Sequence, residues 1–324
     1  MHLPYRLRCR PAAPPLLGGL FLCLLPGCSL HRAVVHAASP VPSPPNTDTL
    51  APGIVHRAIP VTADTGIDVI DLDLDRARAR WSIETCGIQM VNGRIVGQSF
   101  TPRDWLTRLG GLAAVNGGYF GAENGVGRKE FVGLLVQKGR VRHAAPPLHG
   151  EGSPTIRRGQ YVRSAFGLAS DGMPNITWAA TDTGRPQSLR TFASPMGRRG
   201  AAWRVAQAVG CGPTLISRGR IVVTQYQERL VSPGPRPRTF VAYDLVSGTP
   251  RHLLVGTASG SDFHALAAFL TTYFPHYDGT RAEAAMCLDG GASTQMTYRI
   301  NGELQSPRET GVTVPDALVL RPDR

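Results

Sequence analysis

Apolar and polar positions alternate along much of the chain with a period of two. In residues 67–74, Ile67, Val69, Leu72 and Leu74 are interrupted by Asp68, Asp71 and Asp73, the pattern of a half-exposed strand. Residues 80–86 repeat it, and residues 112–115 form a short apolar run that reads as a buried strand. Further strands are predicted at 163–168 and 175–179, joined at Asp171-Gly172, and at 206–209, 221–224, 240–243, 252–255 and 316–320. Turn signals punctuate them. Lys138-Gly139 closes a hairpin within 133–141, Arg218-Gly219 marks another turn, and Asn301-Gly302 carries the signature of a type I′ turn. Helical spacing occurs in two places. Thr101-Pro102-Arg103-Asp104 supplies a hydroxyl cap, a proline in the first turn and an acid at the third position, and Trp105, Leu106 and Leu109 then face a core. In residues 261–274, Phe263, Leu266, Leu270 and Phe274 fall on one stripe with Ala267 between, Ser261 is placed to cap the helix and Pro275 to stop it. No strand–helix–strand rhythm and no convincing repeat is present. The fold class expected is α+β: a mixed, mostly antiparallel β-sheet core with a few flanking helices in a single domain.

The N-terminal region has a different character. Arg6, Arg8 and Arg10 precede an apolar stretch from Leu16 to Leu25, too short to span a bilayer stably, so residues 1–28 read as an export signal. The stretch ends in Leu25-Pro26-Gly27-Cys28, which resembles a lipoprotein processing site with Cys28 as the lipidated residue; cleavage after Ala37 is the competing route. Either route exports the protein, to the periplasm or as an outer-membrane lipoprotein of a bacterium. Residues 29–53 include Ser-Pro-Val-Pro-Ser-Pro-Pro and read as an extended spacer, leaving 54–324 as the folded domain.

Composition adds a charge argument. With 42% hydrophobic and 18% charged residues the chain can bury a sizeable core, which excludes global disorder. The net charge of +12 is almost all arginine, since Lys129 and Lys138 are the only lysines. Such a surface favours anionic partners, although an arginine bias in base composition explains the excess equally well. The arginines form no dense run interleaved with aromatics, so nucleic acid is not expected as a partner.

The stretch richest in chemistry is residues 284–296. An apolar run ends in Asp289, followed by Gly290, Gly291, Ser293 and Thr294. A carboxylate at a strand end is held rigidly, paired glycines allow close backbone approach, and hydroxyls donate to phosphate or sugar oxygens. The same design occurs after residues 112–115, in Asn116-Gly117-Gly118-Tyr119-Phe120. Each of these also reads as an ordinary glycine turn. Pro237-Arg238-Thr239 offers a guanidinium suited to bidentate phosphate binding, and Arg163 precedes a strand in a similar way.

Four motifs stand in order: Asn116-Gly117-Gly118-Tyr119-Phe120, Gly212-Pro213-Thr214-Leu215-Ile216, Pro237-Arg238-Thr239 and Leu288-Asp289-Gly290-Gly291-Ala292-Ser293-Thr294. Together, over roughly residues 80–320, they resemble the phosphodiester glycosidase family. The resemblance implies hydrolysis of a sugar-1-phosphodiester, such as one carrying a GlcNAc-like sugar, with release of the sugar and a phosphomonoester. Residues 289, 238 and 116 are then expected at the chemistry: Asp289 as nucleophile or base, Arg238 as phosphate clamp and Asn116 on the substrate. Gly117, Gly118, Tyr119, Thr239, Gly290, Gly291, Ser293, Thr294 and Arg163 are expected to bind substrate or phosphate. The chain departs from the family pattern at Phe240-Val241, at Ala292 and at Asp316-Ala317, where Asn-Ala is expected.

Cys86, Cys211 and Cys287 remain beyond the signal. Cys211 and Cys287 each precede a site motif, and are expected either to pair across neighbouring strands or to stay as buried thiols. The nine histidines are scattered without metal-ligand spacing, so no cofactor or transition metal is expected, with a structural cation left open. Two other function classes compete: a membrane-tethered, non-catalytic binder of phosphorylated glycans, and a phosphodiesterase that cleaves P–O.

Overall fold

In a computed structural model of the chain, residues 45–62, 65–149, 160–197, 199–230, 232 and 234–323 are described. All of them belong to one compact unit, Pro42–Arg324. The export signal, Cys28 and most of the spacer lie outside the described residues.

The largest sheet has eight strands, in the order Asn46–Ala51, Ile54–Pro60, Gly66–Asp73, His252–Ser261, Arg236–Asp244, Ala282–Cys287, Thr214–Ser217 and Arg220–Ile221. A five-stranded sheet runs Glu303–Arg308, Met296–Ile300, Ala113–Asn116, Asp316–Pro322, Ala79–Thr85. A seven-stranded sheet is centred on Gln207–Cys211 and Arg163–Leu168, and a four-stranded sheet carries Phe120–Glu123 and Arg128–Phe131. Every strand pairing among the described residues is antiparallel, so the expected mixed sheet is corrected to an antiparallel one. The result is a β-rich domain with two α-helices, more strongly β than the α+β class expected.

Period-two alternation decides what each sheet face buries. Val241, Tyr243, Leu253, Val255, Ala284, Met286 and Leu288 point into a core shared by the large sheets, where they meet Ala113, Val115, Leu318 and Leu320 of the five-stranded sheet and Phe166, Val209 and Cys211 of the seven-stranded one. The residues that alternate with them, Phe240, Ala242, Leu254, Ala285 and Cys287, point the other way, onto helix α2 (Phe263–Tyr277). Ala114, Ala317 and Val319 likewise leave the shared core and cover helix α1 (Pro102–Leu109) through Trp105 and Leu106.

The cap on α1 is the one predicted: the Thr101 side chain accepts a hydrogen bond from the Asp104 amide. Helix α2 differs at both ends. Its cap is Asp262, whose carboxylate accepts from the Ala265 amide, because Ser261 is still the last residue of its strand. Pro275 lies inside the helix; the missing donor is tolerated in the last turn, where the amides of Asp278 and Thr280 both donate to the Phe274 carbonyl. The hairpin signals hold, with positive φ at Lys138-Gly139, Arg218-Gly219 and Asn301-Gly302. Residues 221–224 are mostly not strand, since the Val222, Val223 and Thr224 amides turn back onto Leu215 and Thr214. The spacer also ends earlier than expected: Asn46–Ala51 pairs with Ile54–Pro60 as an edge strand.

Cys86, Cys211 and Cys287 are all free, which corrects the pairing considered for the last two. Cys211 faces the shared core and Cys287 faces α2, so the sheet itself lies between the two side chains. Reductant is therefore expected to leave the melting temperature of the purified protein unchanged; a fall of several degrees would reveal a disulfide.

Candidate active site

The strand Ala282–Cys287 is the backbone of the site. It pairs with Arg236–Asp244 on one side and Thr214–Ser217 on the other. From its last residue to Asp289 the chain stays tied at every residue. The Cys287 amide donates to the Pro213 carbonyl at 3.0 Å, the Leu288 amide to Thr239 at 2.8 Å and the Asp289 amide to Gly117 at 3.1 Å. Three separate segments thus hold Asp289 in place, and the Gly212-Pro213 peptide beside it is cis. Gly291, at φ +64°, then starts a 3-10 turn, Gly291–Ser293.

Asn116 locks this arrangement. Its amide nitrogen donates to the Asp289 carbonyl at 2.8 Å, while its oxygen accepts from the Thr239 hydroxyl at 2.6 Å and the Gln295 amide at 3.2 Å. The residue is fully buried. Asn116 is therefore a positioning residue rather than the substrate contact expected, and Thr239, equally buried, serves it. Gly117 and Gly118 are also corrected. Their amides donate to Asp316, the first to its carbonyl at 3.1 Å and the second to its carboxyl at 3.4 Å, instead of forming an open anion cradle. They are glycines because there is no room for more: a Cβ on Gly117 would meet the Asp316 carboxyl oxygen at 2.7 Å, and one on Gly118 would meet Val209 at 2.3 Å.

Asp289 opens onto a cavity of about 330 Å³ whose wall includes Tyr119, Arg163, Arg236, Arg238, Gly290 and Gly291. It is the only carboxylate among the lining residues described. Burial raises its pKa to about 6, against hydrogen bonds from Ser293 and from the Gly290 amide (3.0 Å to Oδ1) and the charge of Lys129, which all favour the ionised form. The Gly290 amide is thus used by Asp289 itself. Ser293 serves the carboxylate too, whereas Thr294 is fully buried and its hydroxyl has no hydrogen-bond partner, so neither hydroxyl takes the ligand-facing place expected.

Arg238 is nearly buried and held on three sides. Its Nε donates to the Ser261 carbonyl at 3.2 Å, one Nη donates to the Ser232 hydroxyl at 3.0 Å, and the guanidinium stacks on Phe263 at 4.0 Å from the ring centroid. Burial lowers its pKa, but a guanidinium this far above neutrality stays charged. Arg163 lies over the Tyr119 ring at 5.8 Å, and its Nε is buried with no hydrogen-bond partner. Tyr119 itself acts as a strut, donating to the Gly212 carbonyl at 2.7 Å. Three guanidiniums and one carboxylate around a small cavity make an anion-binding site with acid–base capacity.

The structure therefore brings Asp289, Arg238, Arg163, Tyr119, Gly290 and Gly291 to the cavity and puts Asn116, Gly117, Gly118, Thr239, Ser293 and Thr294 behind it. Sequence reasoning missed Arg236, Phe263 and Asp316. Arg236 had a legible signal, two residues before Arg238 and so on the same side of an extended segment. Phe263 reads only as a core residue of α2, and Asp316 as a strand start that departs from the Asn-Ala of the family pattern, with no partner assigned to it.

The protein is thus a β-sheet scaffold that gathers three guanidiniums and one buried strand-end carboxylate around a single cavity. The family model of the phosphodiester glycosidases matches residues 110–321, and the chain belongs to that family. None of the curated proteins matches its sequence. In fold it is similar to a hypothetical protein from Synechocystis (TM-score 0.52, 16% identity, covering 86% of this chain and 64% of that one). It is also similar to a protein from Burkholderia pseudomallei K96243 named as exported (TM-score 0.51, 16% identity, covering 82% and 74%). A looser likeness joins it to the zebrafish N-acetylglucosamine-1-phosphodiester alpha-N-acetylglucosaminidase catalytic domain auto-inhibited by its pro-peptide (TM-score 0.48, 16% identity, covering 88% and 85%). The chain spans less than two thirds of the Synechocystis protein's length.

Asp316 makes a distinct prediction. It is fully buried, burial raises its pKa to about 7 with the Asp289 charge adding to the rise, and its Oδ1 has no partner. A carboxyl whose folded pKa is raised stabilises the fold fully in acid, and that stability is lost as pH climbs from about 4 through the folded value. Asp316→Asn is expected to gain on the wild type by a few kcal/mol between pH 4 and pH 8 in denaturant titrations, whereas a constant difference would show Asp316 to be ionised throughout.

Proposed function

We propose that the protein is an exported hydrolase of sugar-1-phosphodiesters that releases a GlcNAc-like sugar from a phosphate-linked glycan. The observation that carries this reading is the meeting of Asp289 with Arg163, Arg236 and Arg238 around one cavity. Family membership supports the reaction type. The basic apolar N-terminal segment and the exported Burkholderia neighbour support export, and lipidation of Cys28 would tether the domain to a membrane through the spacer.

A glycosyl phosphodiester carries one negative charge on the group that departs. Arg238 and Arg163 bind that phosphate and stabilise the charge that grows on it as the C1–O bond breaks. The bond's electron pair leaves with the phosphate oxygen, and a phosphomonoester needs little protonation at neutral pH. This is why one carboxylate suffices where glycosidases usually employ two. Asp289 serves the anomeric carbon on the other side, as nucleophile or as the base that takes a proton from the attacking water. A single displacement inverts the anomer and a double one retains it, so the product anomer separates the two roles.

The assay follows free sugar from GlcNAc-1-phosphodiester compounds and from UDP-N-acetylglucosamine. Asp289→Asn should stay folded yet lose roughly 10³-fold or more of its turnover, and Arg238→Ala roughly 10²-fold. Because Asp289 must be ionised, kcat/KM should rise with pH through about 6, the value to which burial lifts it. Near-wild-type turnover of Asp289→Asn would sink the assignment. Binding without sugar release by the wild type would favour a non-catalytic binder of phosphorylated glycans.

A further inference from the structure

A second charged cluster lies on the α2 side of the eight-stranded sheet. By strand alternation Asp71, Asp244 and His252 face the helix, as do Val69, Ala242 and Leu254 beside them. Asp278, the C-cap of α2, closes over them. The His252 Nδ1 lies 3.1 Å from Asp71 Oδ1 and 3.7 Å from Asp278 Oδ1, and one donor atom from each of the three residues falls within 4.8 Å of the others. In a tetrahedral shell of nitrogen and oxygen ligands at about 2.0–2.1 Å, neighbouring donors sit roughly 3.3 Å apart. The two histidine separations bracket that edge length.

Orphaned buried atoms point the same way. The Asp278 side chain is only 3% exposed, and its Oδ2 has no hydrogen-bond partner. Asp244 accepts from the His252 amide through Oδ1 at 2.7 Å, and its Oδ2 is buried without a partner. The Thr280 hydroxyl, two residues beyond Asp278, is buried and unpartnered as well. Arg57, at 2.6 Å from Asp71 Oδ2, supplies one positive charge, a protonated His252 would supply a second, and Tyr273 donates to the same oxygen at 2.9 Å. Three carboxylates against two cations leave one negative charge unmatched, which a divalent ion in place of the imidazole proton balances.

We propose that Asp71, His252 and Asp278 form a structural site for a divalent cation of the zinc type. One imidazole and two carboxylates suit that borderline ion better than magnesium or calcium, which take all-oxygen shells. The neutral imidazole gives its Nδ1 lone pair to the ion, and the proton now shared across the cluster is released to solvent. The ion pins the end of α2 to the strands Gly66–Asp73 and His252–Ser261. The start of the same helix carries Phe263, against which Arg238 stacks, so the site braces the phosphate clamp from about 20 Å away along the helix.

The test uses the full chain, purified without metal-affinity steps. Metal content is measured by mass spectrometry, and melting temperature is recorded after chelation and after ZnCl₂ is restored. Near-stoichiometric zinc, or a melting temperature that falls by several degrees on chelation and recovers with zinc, is the expected result. That response should vanish in His252→Ala. Cobalt(II) titrated into the chelated wild type should give the visible absorption of a low-coordinate ion, a readout independent of whether variants fold. A wild type whose melting temperature ignores zinc, with cobalt left in its aqueous spectrum, would overturn the proposal. So would an Asp278→Asn variant more stable than the wild type at neutral pH, which would mean that the cluster carries a shared proton in place of a metal.

Discussion

One buried amide makes the site possible. Asn116 ends a strand of the five-stranded sheet, Thr239 lies in a strand of the eight-stranded sheet, and Asp289 and Gln295 belong to the loop between them. A hydrogen bond from or to each of the three converges on the Asn116 side chain, which is fully buried. An asparagine can do this because it offers both a donor and an acceptor on one short stem. No apolar residue of similar size could satisfy the Asp289 carbonyl and the Gln295 amide, and a buried polar group left unpaired costs about 1–3 kcal/mol. The seam between two sheets is thereby fixed where the functional carboxylate emerges.

The electrostatics follow from that placement. Asp289 must be buried to sit at the seam, and burial raises the energy of its ionised form; the amide of Gly290 and the hydroxyl of Ser293 offset part of that cost. The result is a carboxyl that titrates near about 6, poised close to neutrality. Arg238 shows the complementary solution. Backbone and hydroxyl acceptors fix the guanidinium plane, and an aromatic ring covers one face. Neither group relies on an ion pair within the protein, so both remain available to a charged ligand.

Much of this was legible in the sequence where physical demands on a residue are narrow. The buried strands, the α1 cap and the three hairpins with positive-φ pairs were predicted from alternation and turn chemistry. The short strands Gln89–Val91, Arg94–Gln98, Phe120–Glu123 and Arg128–Phe131 were not, because each buries two residues at most and so carries little alternation. The site motifs were found at the right places, yet the roles within them divided differently. Asn116, Gly117 and Thr239 look like ligand groups in sequence because the residue types that bind a substrate are those that bind a neighbouring backbone. Only the long-range pairings, Asn116 with Asp289 and Gly117 with Asp316, separate the two uses. Such pairings have no local signal. Asp262 displaced Ser261 as the α2 cap for a related reason: where the preceding strand ends is set by its partner Arg236–Asp244.

Which bond breaks decides the role of the carboxylate. Hydrolysis of a GlcNAc-1-phosphodiester in water enriched in heavy oxygen reads this directly, with the products separated and weighed by mass spectrometry. Attack at the anomeric carbon, with Asp289 serving the sugar and the arginines holding the departing phosphate, puts the label in the released sugar. Label in the phosphate would mean cleavage of the P–O bond, and would contradict the placement of the carboxylate against the sugar.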